Sequence, residues 1–225
     1  MSTFADPRVR EGAKAWVRLL VDELRPDYLN ASVEMNLYAD AAPGDYPNLV
    51  SLYREIRAEV KAEHPDLPVF PSFQLEQLDD LEPVREVLDA ADLVAISTYP
   101  VIRAAPGVPP ETRYDDLAGL GRPLAVVETG FPAFPVEGAG TTLDVDPGAQ
   151  AAYVEWLGRR AATPGLELVV WFFPYDLPAD LPVPDEVADV TVVFEHMGLL
   201  DTSGRERPAL DAWRRARAGA DPEGP

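Results

Sequence analysis

Two glutamates, Glu34 and Glu128, end apolar stretches that are typical of buried strands, YLNASVE (28–34) and PLAVVE (123–128). A charge at such a position is costly unless it is paired or takes part in chemistry. In a parallel barrel both side chains would project into the same mouth. Cleavage of a glycosidic bond uses two such carboxylates, about 5–5.5 Å apart in retaining enzymes. The alternative is that each glutamate only bridges to an arginine.

Aromatic residues lie at the ends of two further predicted strands. Tyr99 belongs to ISTYP (96–100), and Trp171 belongs to VVWFF (169–173). The flat face of a tryptophan suits the C–H face of a sugar ring, although a tryptophan at a strand end is equally well explained as part of the core. Two glutamates together with these aromatic residues favour a site that acts on sugars.

Strand and helix patterns alternate along the chain. Apolar strands are predicted at 28–34, 68–73, 92–100, 123–128 and 166–176. Amphipathic helices are predicted to begin near Asp6, Tyr46, Pro83, Tyr114, Asp146 and Pro208. The first helix is expected to pack through one apolar stripe: Val9, Ala13, Trp16, Val17, Leu20, Val21 and Leu24. This alternation indicates an α/β fold with a parallel sheet covered by helices.

The chain shows no boundary rich enough in Pro, Gly or Ser to separate two domains. We therefore expect a single domain over 1–218 and a disordered tail over 219–225. Pro-rich loops are predicted at about 100–113, 131–146 and 174–190. Each follows the carboxyl end of a strand, which is where α/β folds keep their active sites.

Composition excludes several classes of function. The 225 residues carry a formal net charge of −20, which argues against nucleic-acid and anionic-membrane partners and leaves a neutral sugar open. The N-terminus lacks the basic patch and apolar core that are typical of a signal peptide, and the sequence has no apolar run of about 20 residues. We expect a cytoplasmic protein as written, or a secreted one if an N-terminal segment is missing.

Few residues could hold a metal. There are no cysteines, which excludes disulfides, thiol catalysis and cysteine-ligated metals. The two histidines, His64 and His196, are expected to have surface or packing roles. We predict neither a metal nor an organic cofactor.

The combination of Glu34, Tyr99, Glu128 and Trp171 resembles the second half of a clan-A glycoside hydrolase, a (β/α)8 barrel of the TIM-barrel type with retaining chemistry. The motifs STYP and VVETGFP are most similar to the endo-β-1,4-galactanase group. The segment GLLDTSGRERPALDAW (198–213) resembles the terminal segment of many such enzymes. The resemblance extends over roughly residues 6–217.

The resemblance implies a role for each of these residues. Glu128 would be the nucleophile, and Glu34 would protonate the leaving group and then activate water. Tyr99 would hydrogen-bond Glu128, and Trp171 would stack on the sugar. The substrate would be an oligo- or polysaccharide with a β-glycosidic bond.

Two features depart from the family. An asparagine that contacts the sugar 2-hydroxyl usually precedes the acid/base, but this position is Val33, and Asn36 is the residue we consider in its place. The chain carries five of the eight β-α units, so the expected fold is a partial (β/α)8 barrel. We expect a missing N-terminal segment, or a partner chain, to complete it.

Two other interpretations remain open. The chain could be a non-catalytic carbohydrate-binding barrel or an inactive fragment of a glycosidase, as Val33 and the three absent units suggest. It could also be an unrelated α/β protein with a doubly wound sheet. The sequence contains no G-x-G-x-x-G motif and no P-loop to support nucleotide binding.

Overall fold

Helices and strands alternate in the structure, a computed structural model that describes residues 3–102, 107–138, 141–163, 165–178, 180–184 and 191–220. Its helices are α1 (Pro7–Leu24), α2 (Met35–Ala41), α3 (Tyr46–Glu63), α4 (Glu82–Val87), α5 (Asp115–Ala118), α6 (Pro147–Ala161) and α7 (Pro208–Ala220). Its strands are β1 (Leu29–Ser32), β2 (Val69–Gln74), β3 (Val94–Thr98), β4 (Leu124–Thr129), β5 (Val136–Gly138), β6 (Thr141–Leu143) and β7 (Leu166–Trp171).

Five of these strands form one sheet in the order β1-β2-β3-β4-β7. β1 pairs with β2 in parallel, and β2 pairs with β3 in parallel. Every residue of β2 and β3 is buried, which is typical of parallel strands covered on both faces. The predicted α/β class with a parallel sheet is confirmed. β5 and β6 form a separate antiparallel pair within a stretch predicted as a loop.

Contacts between Cα atoms divide the chain into two compact units. The first comprises Met1–Ser97 and Leu120–Ala125, and the second comprises Thr98–Gly119 and Val126–Pro225. The single domain expected over 1–218 stays a prediction.

The stripe predicted for α1 is wrong at two positions. Trp16 and Leu24 are 59% and 69% exposed, whereas Val17 and Val21 are buried. The contact with α3 is made by ion pairs as well as by these valines: Arg10–Glu55, Lys14–Glu55, Lys14–Glu59 and Arg18–Glu59. The side of α1 that carries the basic residues therefore faces α3, and the side that carries Trp16 does not.

Pro71 interrupts the regular pairing of β1 with β2. Asn30 pairs with Phe70 and Ser32 pairs with Pro71, so two residues of β1 oppose one residue of β2. Proline has no N–H to donate to a neighbouring strand and is therefore found at such bulges. The bulge lies at the end of β1, between Asn30 and Ser32, and Glu34 follows two residues later.

Asp92 joins α3 to the start of β2. Its carboxylate accepts hydrogen bonds of 2.8 Å from the Arg57 guanidinium, the Lys61 ammonium and the backbone N–H of Val69. Partial burial opposes ionisation of this carboxyl, but the three donors outweigh it and hold the pKa of Asp92 below its ordinary value.

The structure describes only part of the C-terminal end and of the predicted loops. α7 continues to Ala220, and 221–225 lie outside the described residues. Parts of the predicted loops, 103–106, 139–140, 179 and 185–190, also lie outside them. Among the helices of the described ranges, none is long and apolar enough to cross a membrane.

We expect Asp92→Asn to lower the free energy of unfolding at pH 7 by about 1–2 kcal/mol, because three donors lose a charged acceptor that is still partly screened by solvent. The folded-state pKa of Asp92 is lowered, so its contribution is present above the unfolded-state pKa of about 3.9 and is lost as the pH falls through the folded-state value. Urea denaturation at several pH values measures this.

The matched control for this prediction is Asp89→Asn, which removes an exposed ion pair with Arg54. Exposed pairs contribute little, so the control should lower stability less than Asp92→Asn does. Equal effects of the two variants at pH 7 would contradict the role given to Asp92.

Candidate active site

Glu34 lies just beyond β1, and its backbone is left-handed, with φ 49° and ψ 51°. This conformation costs roughly 1–2 kcal/mol for a residue with a side chain, and such strain is often found at functional sites. The backbone N–H of Glu34 donates a hydrogen bond of 3.2 Å to Ser72 Oγ. The Ser97 hydroxyl donates a hydrogen bond to Glu34 Oε1. Both the backbone and the carboxylate of Glu34 are thus held by serines.

These two serines are buried in strands that are otherwise largely apolar. Ser72 lies in β2, Ser97 lies in β3, and neither is exposed to solvent. Ser72 Oγ also accepts a hydrogen bond of 3.0 Å from Asn30 Nδ2. Buried hydroxyls require hydrogen-bond partners, and Glu34 supplies a partner to both serines. Neither serine was predicted as a site residue, although a small polar residue within an apolar strand is a signal.

Asn36, the residue considered for the sugar 2-hydroxyl, is 3% exposed. Its Nδ2 donates to the carbonyl oxygen of Gln74 at 3.0 Å, and its Oδ1 accepts from the N–H of Gln74 at 2.8 Å. The side chain therefore links α2 to the end of β2. Its role in binding a substrate stays a prediction.

Glu128 lies in β4 of the second unit, and its carboxylate is held by Tyr99, which directly follows β3. The Tyr99 hydroxyl donates a hydrogen bond to Glu128 Oε1. The Tyr99 ring is buried and packs edge-on against Phe194 at 5.1 Å and Phe172 at 6.2 Å between ring centroids. A phenol fixed in this way restricts the orientation of the Glu128 carboxylate.

Thr129 and Trp171 belong to the face of β4 and β7 that packs on the helices. Thr129 Oγ1 lies 2.7 Å from the hydroxyl of Tyr153 in α6. The Trp171 side chain lies 6.2 Å from Tyr153 and 6.3 Å from Trp213 of α7 between ring centroids. Side chains alternate along a strand, so Glu128 projects from the opposite face. The sugar-stacking role of Trp171 stays a prediction, and its described contacts are with the core.

Met197 lies close to both Trp171 and Gly130. Its carbonyl oxygen accepts a hydrogen bond of 2.9 Å from the Trp171 indole N–H. A Cβ added at Gly130 would lie 2.5 Å from Met197 Sδ and 3.4 Å from the Tyr99 ring. Glycine at position 130 therefore allows Met197 to pack close to the end of β4.

A buried ion pair, Asp176–Arg207, connects the segments that follow β7. Asp176 Oδ1 accepts from the N–H of Gly198 at 3.0 Å, and Arg207 donates to the carbonyl oxygens of Gly198 at 2.7 Å and His196 at 3.2 Å. Asp176 and Arg207 are 7% and 8% exposed. The sequence does not predict this network, because its members are up to 31 residues apart.

His196 has the packing contacts expected of it. Its ring lies 5.3 Å from that of Phe134 between centroids, and its Nδ1 lies 3.5 Å from Asp176 Oδ2. In the part of the chain that the structure describes, no group of three or more His, Cys, Asp or Glu residues is arranged to hold a metal.

Arg207→Met should lower the free energy of unfolding by about 3–5 kcal/mol, because it leaves the Asp176 carboxylate buried without its cation. The double variant Asp176→Asn with Arg207→Met should be less destabilised than Arg207→Met alone, since no uncompensated charge remains. Urea denaturation of the wild type, of Asp176→Asn, of Arg207→Met and of the double variant measures the coupling. The control Arg214→Met, in an exposed pair with Glu206, should cost less than about 1 kcal/mol.

Comparison with known proteins shows a likeness of fold. No family model matches the sequence, and no curated protein matches it. A β-glucuronidase of Bifidobacterium dentium, solved with coumarin-3-O-glucuronide, aligns with 96% of this chain at 16% identity and a TM-score of 0.69. The β-glucuronidase of Ruminococcus gnavus aligns with 94% at 13% identity and a TM-score of 0.62. A GH2 β-galacturonidase from Eisenbergiella tayi, bound to glycerol, aligns with 76% at 17% identity and a TM-score of 0.56.

This chain spans only part of each of these proteins, namely 34%, 36% and 30% of their respective lengths. The chain therefore has a fold that is also found within larger glycosidases. At these identities the likeness concerns the fold and not the residues of the site.

Proposed function

We propose that this chain carries the two catalytic carboxylates of a retaining glycoside hydrolase that cleaves β-glycosidic bonds. Glu128 is the nucleophile and Glu34 is the general acid/base. The supporting observation is that Ser97 and Tyr99 each donate a hydrogen bond to one of these glutamates. Each hydrogen bond fixes the orientation of one carboxylate within its own compact unit.

The proposed reaction has two steps. In the first, a Glu128 oxygen bonds to the anomeric carbon while the glycosidic C–O bond breaks and the leaving oxygen takes the proton of Glu34. In the second, Glu34 accepts a proton from water as the water oxygen displaces Glu128 from the anomeric carbon. Tyr99 keeps the attacking carboxylate in position, and the reaction requires no cofactor.

The proposed architecture is a (β/α)8 barrel of which this chain supplies five β-α units. The fold likeness to β-glucuronidases and a β-galacturonidase, over about a third of their length, supports it. The finer similarity to endo-β-1,4-galactanases is supported by the motifs STYP and VVETGFP. The remaining strands would come from another segment or a partner chain.

A neutral oligo- or polysaccharide is the substrate class that the charge of the chain favours. The formal net charge of −20 produces a negative field that repels anionic ligands. We therefore expect this chain to hydrolyse neutral β-glycosides faster than the corresponding β-glucuronides.

A second candidate function is carbohydrate binding without hydrolysis. It is favoured by Val33, which is 62% exposed at the position where related hydrolases place an asparagine. A protein of this kind would bind sugars with no turnover, and Glu128→Gln would leave its affinity unchanged.

Glu128→Gln should reduce hydrolysis of aryl β-glycosides below detection, since the amide cannot form the glycosyl–enzyme bond. Glu34→Gln should slow hydrolysis of methyl β-glycosides about 10²–10⁴-fold, because general acid catalysis is lost. Rates are measured with p-nitrophenyl β-glycosides for Glu128→Gln and with methyl β-glycosides for Glu34→Gln, and proton NMR of the first product should show the β anomer. Unchanged turnover in Glu128→Gln would overturn the assignment of the nucleophile.

Ser97→Ala should lower kcat about tenfold, because one net hydrogen bond to a charged group is worth roughly 1.5–3 kcal/mol and part of it is recovered from water. The loss should be larger for methyl β-glycosides than for p-nitrophenyl β-glycosides, since only the poor leaving group depends on the proton of Glu34. Ser97→Thr, which retains the hydroxyl, should restore the rate. An equal loss for both leaving groups would show that Ser97 acts only on stability.

A further inference from the structure

Phe172 directly follows Trp171 at the end of β7, next to the strand that carries Glu128. Its backbone N–H donates a hydrogen bond of 2.9 Å to the carbonyl oxygen of Thr129. Phe172 lies at a bend just beyond the strand. Its ring is therefore placed by its aromatic contacts, which include Tyr99, and not by the alternation of side chains along β7.

The Tyr99 side chain connects these two residues. Its hydroxyl donates to the Glu128 carboxylate, and its ring packs edge-on against Phe172 with 6.2 Å between centroids. One aromatic residue thus contacts both the candidate nucleophile and the phenyl ring beside it.

The Phe172 ring is supported from behind and open to solvent. It lies 5.9 Å from the Phe194 ring and 4.1 Å from the Phe173 ring between centroids. It is nevertheless 37% exposed, whereas Trp171 is 8% exposed. A supported ring loses little conformational freedom when a ligand binds to it, which favours affinity.

We propose that Phe172, and not Trp171, forms the surface on which a pyranose ring stacks beside Glu128. This inference rests on the proposed function, because it assumes that Glu128 belongs to a sugar site. An aromatic face accepts the apolar C–H face of a sugar, and a carboxylate at its edge accepts hydrogen bonds from sugar hydroxyls. Trp171 contributes instead to the core, where its indole N–H is already bonded to Met197.

The test measures binding separately from turnover in the full chain. Saturation-transfer NMR titrations with methyl β-glucoside, methyl β-galactoside and methyl β-glucuronide give the Kd for the bound sugar and the ring protons that touch the protein. Hydrolysis of the p-nitrophenyl β-glycosides of the same sugars is measured in parallel. Phe172→Leu should raise the Kd about tenfold, whereas Phe172→Trp should preserve it. In Phe172→Leu the axial protons of one sugar face should also lose their saturation-transfer signal.

Phe134→Leu is the matched control. Phe134 is 43% exposed, and its described contacts are with His196 and Arg207 rather than with Tyr99. The same substitution there should leave the Kd unchanged. Urea denaturation of every variant ensures that the comparison uses folded protein.

The outcomes separate the two proposals. Loss of affinity in Phe172→Leu supports the stacking surface. If the chain shows this loss but hydrolyses none of the sugars, the hydrolase proposal is wrong and the stacking surface still stands. Unchanged affinity in Phe172→Leu overturns the stacking surface, and so does a loss of affinity in Trp171→Phe instead. Neither result bears on the hydrolase proposal, which the hydrolysis rates test separately. A chain that neither binds nor hydrolyses any of the sugars overturns both.

Discussion

The alternation of side chains along β4 is the constraint on which the candidate site depends. Thr129 is fixed on the helix side because its hydroxyl reaches both Tyr153 in α6 and the carbonyl oxygen of Thr98. Its neighbour Glu128 must then lie on the other side. A slip of one residue in this strand would turn Glu128 toward the helices, so the hydroxyl of Thr129 indirectly determines where the carboxylate lies.

Buried polar residues give the described parts of the fold their fixed points. Ser72 and Ser97 hold Glu34, Asn36 joins α2 to β2, and Arg207 holds Asp176. Each such group loses its hydration and is favourable only in one geometry. Apolar contacts tolerate small rearrangements, but these polar contacts do not. The precision of each half of the candidate site therefore comes from a small number of hydrogen bonds.

The sequence predicted the order of the elements better than their orientation. Asp6 and Pro7 predicted the first residue of α1, and the apolar runs predicted the five strands of the sheet. The short helix α2 and the β5–β6 pair were not predicted, since three to seven residues carry too little periodicity. The exposed side of α1 was not predicted either, because periodicity shows that a stripe exists but not what packs against it.

The candidate site shows the same limit. The pattern VVWFF identifies consecutive aromatic residues at a strand end, but a period of two does not tell which of them faces the helices. That choice depends on Tyr153 and Trp213, which are distant in sequence from Trp171. Of Ser97 and Tyr99, only the tyrosine has a side chain distinctive enough for the sequence to suggest a role.

The left-handed backbone of Glu34 has an evolutionary consequence. Glycine adopts this conformation without steric cost and asparagine tolerates it, so selection for folding alone would replace the glutamate with one of them. Under the proposed function, a carboxylate is needed at this turn despite the strain. In a lineage that had lost that need, position 34 should drift toward glycine or asparagine before the surrounding strands change.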